Sequence, residues 1–200
     1  MSKILVATHN AGKLEEIWAL LNGIPAELVA PADINLDLAV KETGSNYAEN
    51  AALKAVAYAK ASGLITLADD SGLEVDALDS LPGLHSARFA PWTGASDADR
   101  RRLLLERLQP KTPPWTAHFR CIVALARPSG ETQYTQGICP GVIIPEERGE
   151  KGFGYDPIFL LPELGKTMAE LDMEEKNRLS HRGRAVRAAY PILLEMLKNL

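Results

Sequence analysis

Cysteine is scarce. Cys121 and Cys139 are the only two in 200 residues, and no C-x-x-C spacing pairs them. That argues against a disulfide framework or a cysteine zinc site, and fits a reducing cytoplasm better than secretion. Both thiols read as small buried apolar side chains. Long apolar runs are missing as well. Ile4 to Ala7 is too short for a signal-peptide core, and nothing approaches the roughly eighteen apolar residues of a membrane span, so neither export nor a membrane helix is expected. Nor is there an excess of positive charge: the net charge is −4, which speaks against nucleic-acid binding through a broad basic face and confines any polyanion to a local pocket. A Walker A loop is also absent, because Gly12-Lys13 is followed by Leu14 and no glycine stands five residues before Gly12.

What is present suits a globular protein. With 46% hydrophobic and 24% charged residues, the chain can bury a sizeable core in one domain or two lobes. A strand at Ile4-Ala7 leads through a polar turn into a helix ending near Leu21, with Leu14, Ile17, Trp18 and Leu21 on one face. Ala26–Ala30 reads as a strand. Ser45 or Asn46 caps an alanine-rich helix that Gly63 stops, and Ile65–Ala68 is a strand ending at Asp69-Asp70-Ser71-Gly72. Ser86 to Gly94 reads as irregular surface, Ser96 caps a helix to Leu108, and two long β runs, Thr116–Ala126 and Thr132–Ile144, form a hairpin. Short helices follow from Met168 and Asp172, and Pro191 should kink or interrupt the terminal helix. Alternating strands and helices followed by a hairpin predict an α/β fold with a mixed β-sheet flanked by helices. No separable linker appears, so residues 1–200 read as one domain of two lobes, with a cleft between them as the default ligand site.

Five strings carry candidate chemistry. The turn before the first helix offers unpaired N–H groups and a dipole-positive end, with Lys13 beside them, which suits phosphate. Asp69-Asp70-Ser71-Gly72 is either a common turn or a strand-end site, where at most one of the adjacent carboxylates faces a given side unless the chain turns. Glu42, in a loop, is either merely solvated or pairs with Asp70 as the hard oxygen donors that magnesium prefers. Gly152-Phe153-Gly154-Tyr155-Asp156-Pro157 fits either close approach to a planar ligand or a loop packing its own rings. Finally, Lys176 to Arg184 gathers four cations at the apparent start of a helix, where they oppose the dipole unless an anion repairs the arrangement. His9, His85 and His118 match no ligand spacing.

Taken in order, these strings resemble the inosine triphosphate pyrophosphatase family. The resemblance runs over essentially the whole chain: Thr8-x-Asn10-x-x-Lys13, Glu42-Thr43-Gly44 with Glu49-Asn50-Ala51 and Lys54-Ala55, Ala68 to Leu73, Pro82-Gly83 with Ser86-Ala87-Arg88, Gly152 to Pro157, and Ser180-His181-Arg182-Gly183. His9 stands where the bacterial pattern often has glycine. The resemblance implies an elongated two-lobed α/β protein around a nucleotide-binding cleft, usually a homodimer in the cytoplasm. It implies Mg2+-dependent hydrolysis of inosine, deoxyinosine and xanthosine triphosphates to monophosphate and pyrophosphate, which keeps deaminated bases out of DNA and RNA. By the same resemblance Thr8, His9, Asn10, Ala11, Gly12 and Lys13 hold the triphosphate, and Glu42 and Asp70 hold the metal. Asp70 is also the proton acceptor, with Asp69 as a possible sharer, and Ser71 contacts substrate. Phe153, Gly154, Tyr155, Asp156, Lys176, Ser180, His181 and Arg182 recognise the base. Arg182, as donor to a purine 6-oxygen, would reject adenine. A nucleotide-binding regulator without turnover would not need Asp70, Glu42 and Lys13 together, and a two-carboxylate glycosidase gives the cations nothing to do.

Overall fold

The computed structural model describes residues 2–198. Strand β1 (Lys3–Val6) feeds helix α1 (Ala11–Leu20), whose N-cap is Asn10: its Oδ1 accepts from the Lys13 backbone N–H at 3.0 Å. After β2 (Glu27–Val29), helix α2 (Tyr47–Ser62) begins at Asn46, the cap in preference to Ser45, because the Asn46 side chain accepts from Glu49 N. Gly63 ends α2 in a left-handed conformation, φ 72°, that costs glycine nothing. Ser96 and Asp99 form a reciprocal capping box on α3 (Asp97–Leu108). The long strands β4 (Trp115–Ala126) and β5 (Thr132–Ile143) follow, then β6 (Phe159–Leu161), β7 (Lys166–Thr167), α4 (Met173–Leu179) and α5 (His181–Lys198).

With β3 (Ile65–Val75), these strands make a seven-stranded mixed sheet in the order β2-β1-β3-β4-β5-β6-β7. β1 runs parallel to both β2 and β3, and β6 is antiparallel to β5 and β7. Three expectations fail locally. Asp69-Asp70-Ser71-Gly72 forms no turn; it lies inside β3, which outruns its pairing with β1 at Leu67 and carries on beside the twelve-residue β4. A ladder of backbone bonds overrides the weak local turn propensity. Of the stretch from Ser86 to Gly94, residues 89–94 are irregular as expected and 91–94 exposed, but the first three residues are not irregular surface. They belong to a 3₁₀ turn, Gly83–Arg88, in which Ser86 is buried, accepting from Leu73 N and donating to Gly83 O. Pro191 does not interrupt α5, because burial of Ala189, Leu193 and Met196 outweighs the one hydrogen bond proline removes.

The chain divides into two compact units. Unit 1 comprises residues 2–70, 121–137 and 181–198. Here β3 alternates strictly. Ile65 and Leu67 join a core with Ile17 and Leu21 of α1 and Ala185, Val186 and Leu193 of α5, whereas Ala68 packs with Ala51, Ala55 and Tyr58 of α2. Trp18, expected on the apolar face of α1, is partly exposed instead. Unit 2, residues 71–120 and 138–180, is built around Leu73, Leu104, Leu108, Phe119, Ile143 and Phe159, with the Phe119 and Phe159 ring centroids 4.5 Å apart.

Candidate active site

The alternation of β3 decides what its two carboxylates do. Asp69 continues the odd-numbered side, toward α1 and α5, and meets cations from both helices: Lys13 Nζ lies 2.9 Å from its Oδ2 and Arg182 Nε 3.4 Å. The Arg182 Nη1 donates to Glu16, so this guanidinium, 2% exposed, is held by two buried carboxylates. Burial alone would raise the Asp69 pKa, but Lys13, Arg182 and Lys54 outweigh it and hold the carboxyl well below the usual range. Asp69 is a permanent anion. Cys121 lies on the same side, its thiol pushed upward by burial and by the Asp69 charge, and so is inert.

Asp70 takes the even-numbered side, toward α2. Asn50 Nδ2 donates to its Oδ2 at 3.1 Å, while Asn50 Oδ1 accepts from Gly44 N at 2.8 Å. One buried amide thus links Asp70 to the loop that carries Glu42. Lys54, one turn further along α2, reaches Glu42 Oε1 at 2.5 Å. Burial, together with the Glu42 charge, raises the Asp70 pKa against the opposing pull of Lys54, Lys13 and Asn50. Lys54 itself is raised: burial alone would lower it, and Asp69, Glu42 and Asp70 overcome that.

The turn before α1 stands beside these groups in the same unit. Thr8 Oγ1 accepts from Asn10 N at 3.2 Å, and the first intrahelical bond is Leu14 N to Asn10 O. The Ala11 and Gly12 N–H groups therefore precede the helical ladder, at its dipole-positive end. His9 is tied down: its Nε2 is 2.7 Å from the Tyr58 hydroxyl, which donates to Leu38 O at 3.0 Å. Because tyrosine has one proton to give, His9 must be the donor to it, which fixes a proton on Nε2. Glu42 and Asp70 are within electrostatic reach and their like charges disfavour each other, the condition a divalent cation relieves. Among the described residues no group of three or more His, Cys, Asp and Glu forms a ready metal cage. Two carboxylates with room for water and phosphate oxygens is the donor set that magnesium usually takes.

Unit 2 holds the second group. Asp156 Oδ2 accepts from Phe153 N at 3.0 Å and from Lys176 Nζ at 2.7 Å, and that ammonium lies 4.9 Å from the Phe153 ring centroid. A Cβ on Gly152 would strike Asp156 Oδ2, so the loop needs glycine there. Tyr155 is 4% exposed and its hydroxyl donates to Ser86 O at 2.9 Å, which makes it an anchor of the loop. Ser180 is buried at the end of α4, Ser71 is half-buried on β3, and His181 is buried at the start of α5 in unit 1. The structure therefore unites Thr8 to Lys13, Glu42, Asp70, His181 and Arg182 in one unit, and Ser71, Phe153 to Asp156, Lys176 and Ser180 in the other.

A sequence model of the Ham1 family matches residues 4–192. The chain belongs to the Ham1 family. It is 45% identical to the dITP/XTP pyrophosphatase of Desulforamulus reducens, over 96% of this chain and 95% of that one. A dITP/XTP pyrophosphatase of an Exiguobacterium species is 46% identical, covering 98% of this chain and 100% of the relative. The solved structure of a HAM1 protein from Coxiella burnetii superposes with a TM-score of 0.88 at 40% identity, over 98% of this chain and 100% of that one. The family resemblance carried by the six sequence strings is borne out.

Several residues with work to do in this Ham1 chain were given no role from sequence, Asn50 and Lys54 appearing only within the strings of the resemblance. Asn50 and Lys54 sit at i and i+4 on the α2 face that also carries Ala51, Ala55 and Tyr58, and a polar pair on a buried helical face was the available signal. Glu16, beside Ile17 on α1, gave the same kind of signal. Gly137 of β5 gave none: a Cβ there would collide with His181 O and come within 2.7 Å of Ala185 N, so its absence lets α5 lie against the strand and sets the position of Arg182. For Arg182 itself, the expected contact with a base is joined by an ion-pair role that the sequence did not disclose.

Proposed function

We propose that this chain hydrolyses inosine, deoxyinosine and xanthosine triphosphates to the monophosphate and pyrophosphate, with Mg2+. What carries the reading is the separation of two adjacent carboxylates beside a helix N-terminus. Asp69 is paired with Lys13 and Arg182, while Asp70, its pKa raised from the ordinary carboxylate value by burial, is linked through Asn50 to the Glu42 loop. Such a split suits one group to structure and the other to proton transfer. Near full-length similarity to proteins named dITP/XTP pyrophosphatase supports the same substrate class.

In this mechanism Lys13 and the N–H groups of Ala11 and Gly12 bind phosphate oxygens with dipoles already oriented, which costs no reorganisation as charge develops on the leaving pyrophosphate. Asp70 accepts the proton of the attacking water, its raised pKa bringing it nearer the working pH. Glu42 and Asp70 would hold Mg2+, which when bound neutralises phosphate-oxygen charge. Phe153 offers a ring for the purine, and Asp156 and Lys176 set its loop. By the family resemblance Arg182 would donate to the 6-oxygen, and a donor there disfavours adenine, whose amino group would leave it unpaired. A homodimer and a cytoplasmic location belong to the same reading.

The test is a panel of inosine, xanthosine, guanosine, adenosine and pyrimidine triphosphates, assayed separately for pyrophosphate and orthophosphate, with and without EDTA. Pyrophosphate from the first two, abolished by EDTA and restored by Mg2+, is expected. Orthophosphate as the first product would refute the bond cleaved, and equal rates across the panel would refute the base preference.

A further inference from the structure

Gly154 is the loosest joint in the aromatic loop, a glycine at φ 64° with nothing within 4 Å of a would-be Cβ. Glycine has the most conformational freedom to lose, so left alone this position would let the loop wander. Both of its backbone polar groups are gripped by α3. The Gly154 N–H donates to Asp97 Oδ2 at 2.8 Å, and the Gly154 carbonyl accepts from Arg101 Nη1, also at 2.8 Å. Asp97 and Arg101 are i and i+4 in α3, so they project from one helical face.

The two bonds are complementary in effect. The N–H belongs to the peptide shared with Phe153 and the carbonyl to the peptide shared with Tyr155. Holding both fixes φ and ψ of the glycine between them. Each clamp arm is braced in turn. Arg101 makes a two-pronged pair with Glu147, Nε to Oε1 and Nη2 to Oε2, both 2.8 Å, and Asp97 Oδ1 accepts from Arg100 Nη2 at 2.6 Å. Planar fork geometry of this kind leaves the guanidinium little rotational choice.

We propose that Asp97 and Arg101 are positioning residues for base recognition: from one face of α3 they lock the Gly154 peptides and so preorganise Phe153 to receive the purine. The proposal rests on the assignment of Phe153 to the base made above. A base contact far from the reacting phosphates is made equally in the ground and transition states, so its disturbance raises KM and leaves kcat. Loss of a hydrogen bond to a charged group costs on the order of tenfold in such binding.

The experiment measures steady-state kinetics on inosine triphosphate, with thermal melting, for Asp97→Ala, Arg101→Ala, Arg101→Lys and Phe153→Ala. The expected result is a KM raised on the order of tenfold in both alanine variants with kcat within about threefold. Arg101→Lys should recover part of the loss, since lysine can reach a carbonyl but cannot fork Glu147. A purely structural role predicts the opposite split, a lower melting point and lower kcat at unchanged KM, and overturns the proposal. If Phe153→Ala raises KM while both clamp variants leave it unchanged, the base assignment stands and the clamp falls. If Phe153→Ala also leaves KM unchanged, the base assignment fails and the clamp fails with it. Should Asp97→Ala not fold, Arg101→Ala carries the comparison, and Asp97→Asn, which keeps an acceptor for the Gly154 N–H, should hold KM near the parent's value; a KM raised on the order of tenfold in Asp97→Asn would overturn the role given to that bond.

Discussion

Replacing Arg182 by alanine tests whether the buried charge network of unit 1 holds the fold as well as the site. Arg182, Glu16 and Asp69 each have side chains no more than 3% exposed, so the deletion strands two carboxylates in a low-dielectric interior, with Lys13 still beside Asp69. Breaking a buried pair by removing one partner costs about 3–5 kcal/mol, a large share of the roughly 5–15 kcal/mol that holds a typical domain together. At about 2–4 °C per kcal/mol for a chain of this size, the melting midpoint should fall by about 6–20 °C. Urea denaturation at pH 7 measures the free energy directly. Two controls isolate the charge. Glu16→Gln in the Arg182→Ala background removes one stranded anion and should return about 1–2 kcal/mol. Lowering the pH should also help Arg182→Ala specifically: without its guanidinium the buried Glu16 acquires a raised folded pKa, and a raised pKa means stability gained as the pH falls. A loss below about 1 kcal/mol, or a double variant no better than the single, would refute the network reasoning.

Other expectations follow from the same geometry. Asp70→Asn should cut pyrophosphate release by roughly a hundredfold or more, since proton acceptance and metal holding fail together. Because the folded pKa of Asp70 is raised, its ionised form costs stability as the pH rises through that value, so the metal-free Asn variant should melt at or above the parent at pH 7. A clear drop in melting point would count against the raised pKa. The parent should lose stability in acid: Asp69 is depressed, so its contribution is complete above the unfolded carboxylate pKa of about 4 and is lost as the pH falls below it. Urea midpoints at pH 7, 5 and 3 measure this, and Asp69→Asn should flatten the acid limb. Gly137→Ala should cost about 1–3 kcal/mol through its collision with the start of α5, read by thermal melting, and parental stability there would show that α5 can shift freely.

Most elements were legible because their signals are local. The Asn46 cap, the Ser96 cap, the Gly63 stop and the turn that joins the two long β runs each lie within a few residues of what they specify. The failures involve distant partners. Asp69 to Gly72 reads as either a turn or a strand end until β4, some fifty residues later, offers a ladder that carries the strand on, and Ser86 reads as surface until Leu73 N and the Tyr155 hydroxyl are found on it. The site was legible as residue types in order, and the geometry added the agents that hold them: Asn50 and Lys54 from α2, Glu16 from α1, Asp97 and Arg101 from α3. Asn50 and Lys54 stood in the family strings without a role, and Glu16, Asp97 and Arg101 belong to no such string, so no local pattern marked their work.

The pair Asp69-Asp70 shows how the fold resolves what the sequence leaves open. Two neighbouring carboxylates are chemically identical, and sequence alone cannot apportion metal, proton and salt-bridge duties between them. In a turn both could face one site. In an extended strand they cannot, because successive side chains emerge on opposite sides. The continuation of β3 through Gly72 is therefore what separates them, sending Asp69 to Lys13 and Arg182 and Asp70 to Asn50 and the neighbourhood of Lys54. Their pKa values move apart in consequence, Asp69 lowered by its cations and Asp70 raised by burial. A shared role for Asp69 as proton acceptor is disfavoured on this ground, since a carboxylate held ionised by three cations is a poor base. Asp69→Asn, at a pH where it stays folded, should accordingly retain an Mg2+-dependent rate well above that of Asp70→Asn, and equal losses in the two variants would refute the division of roles.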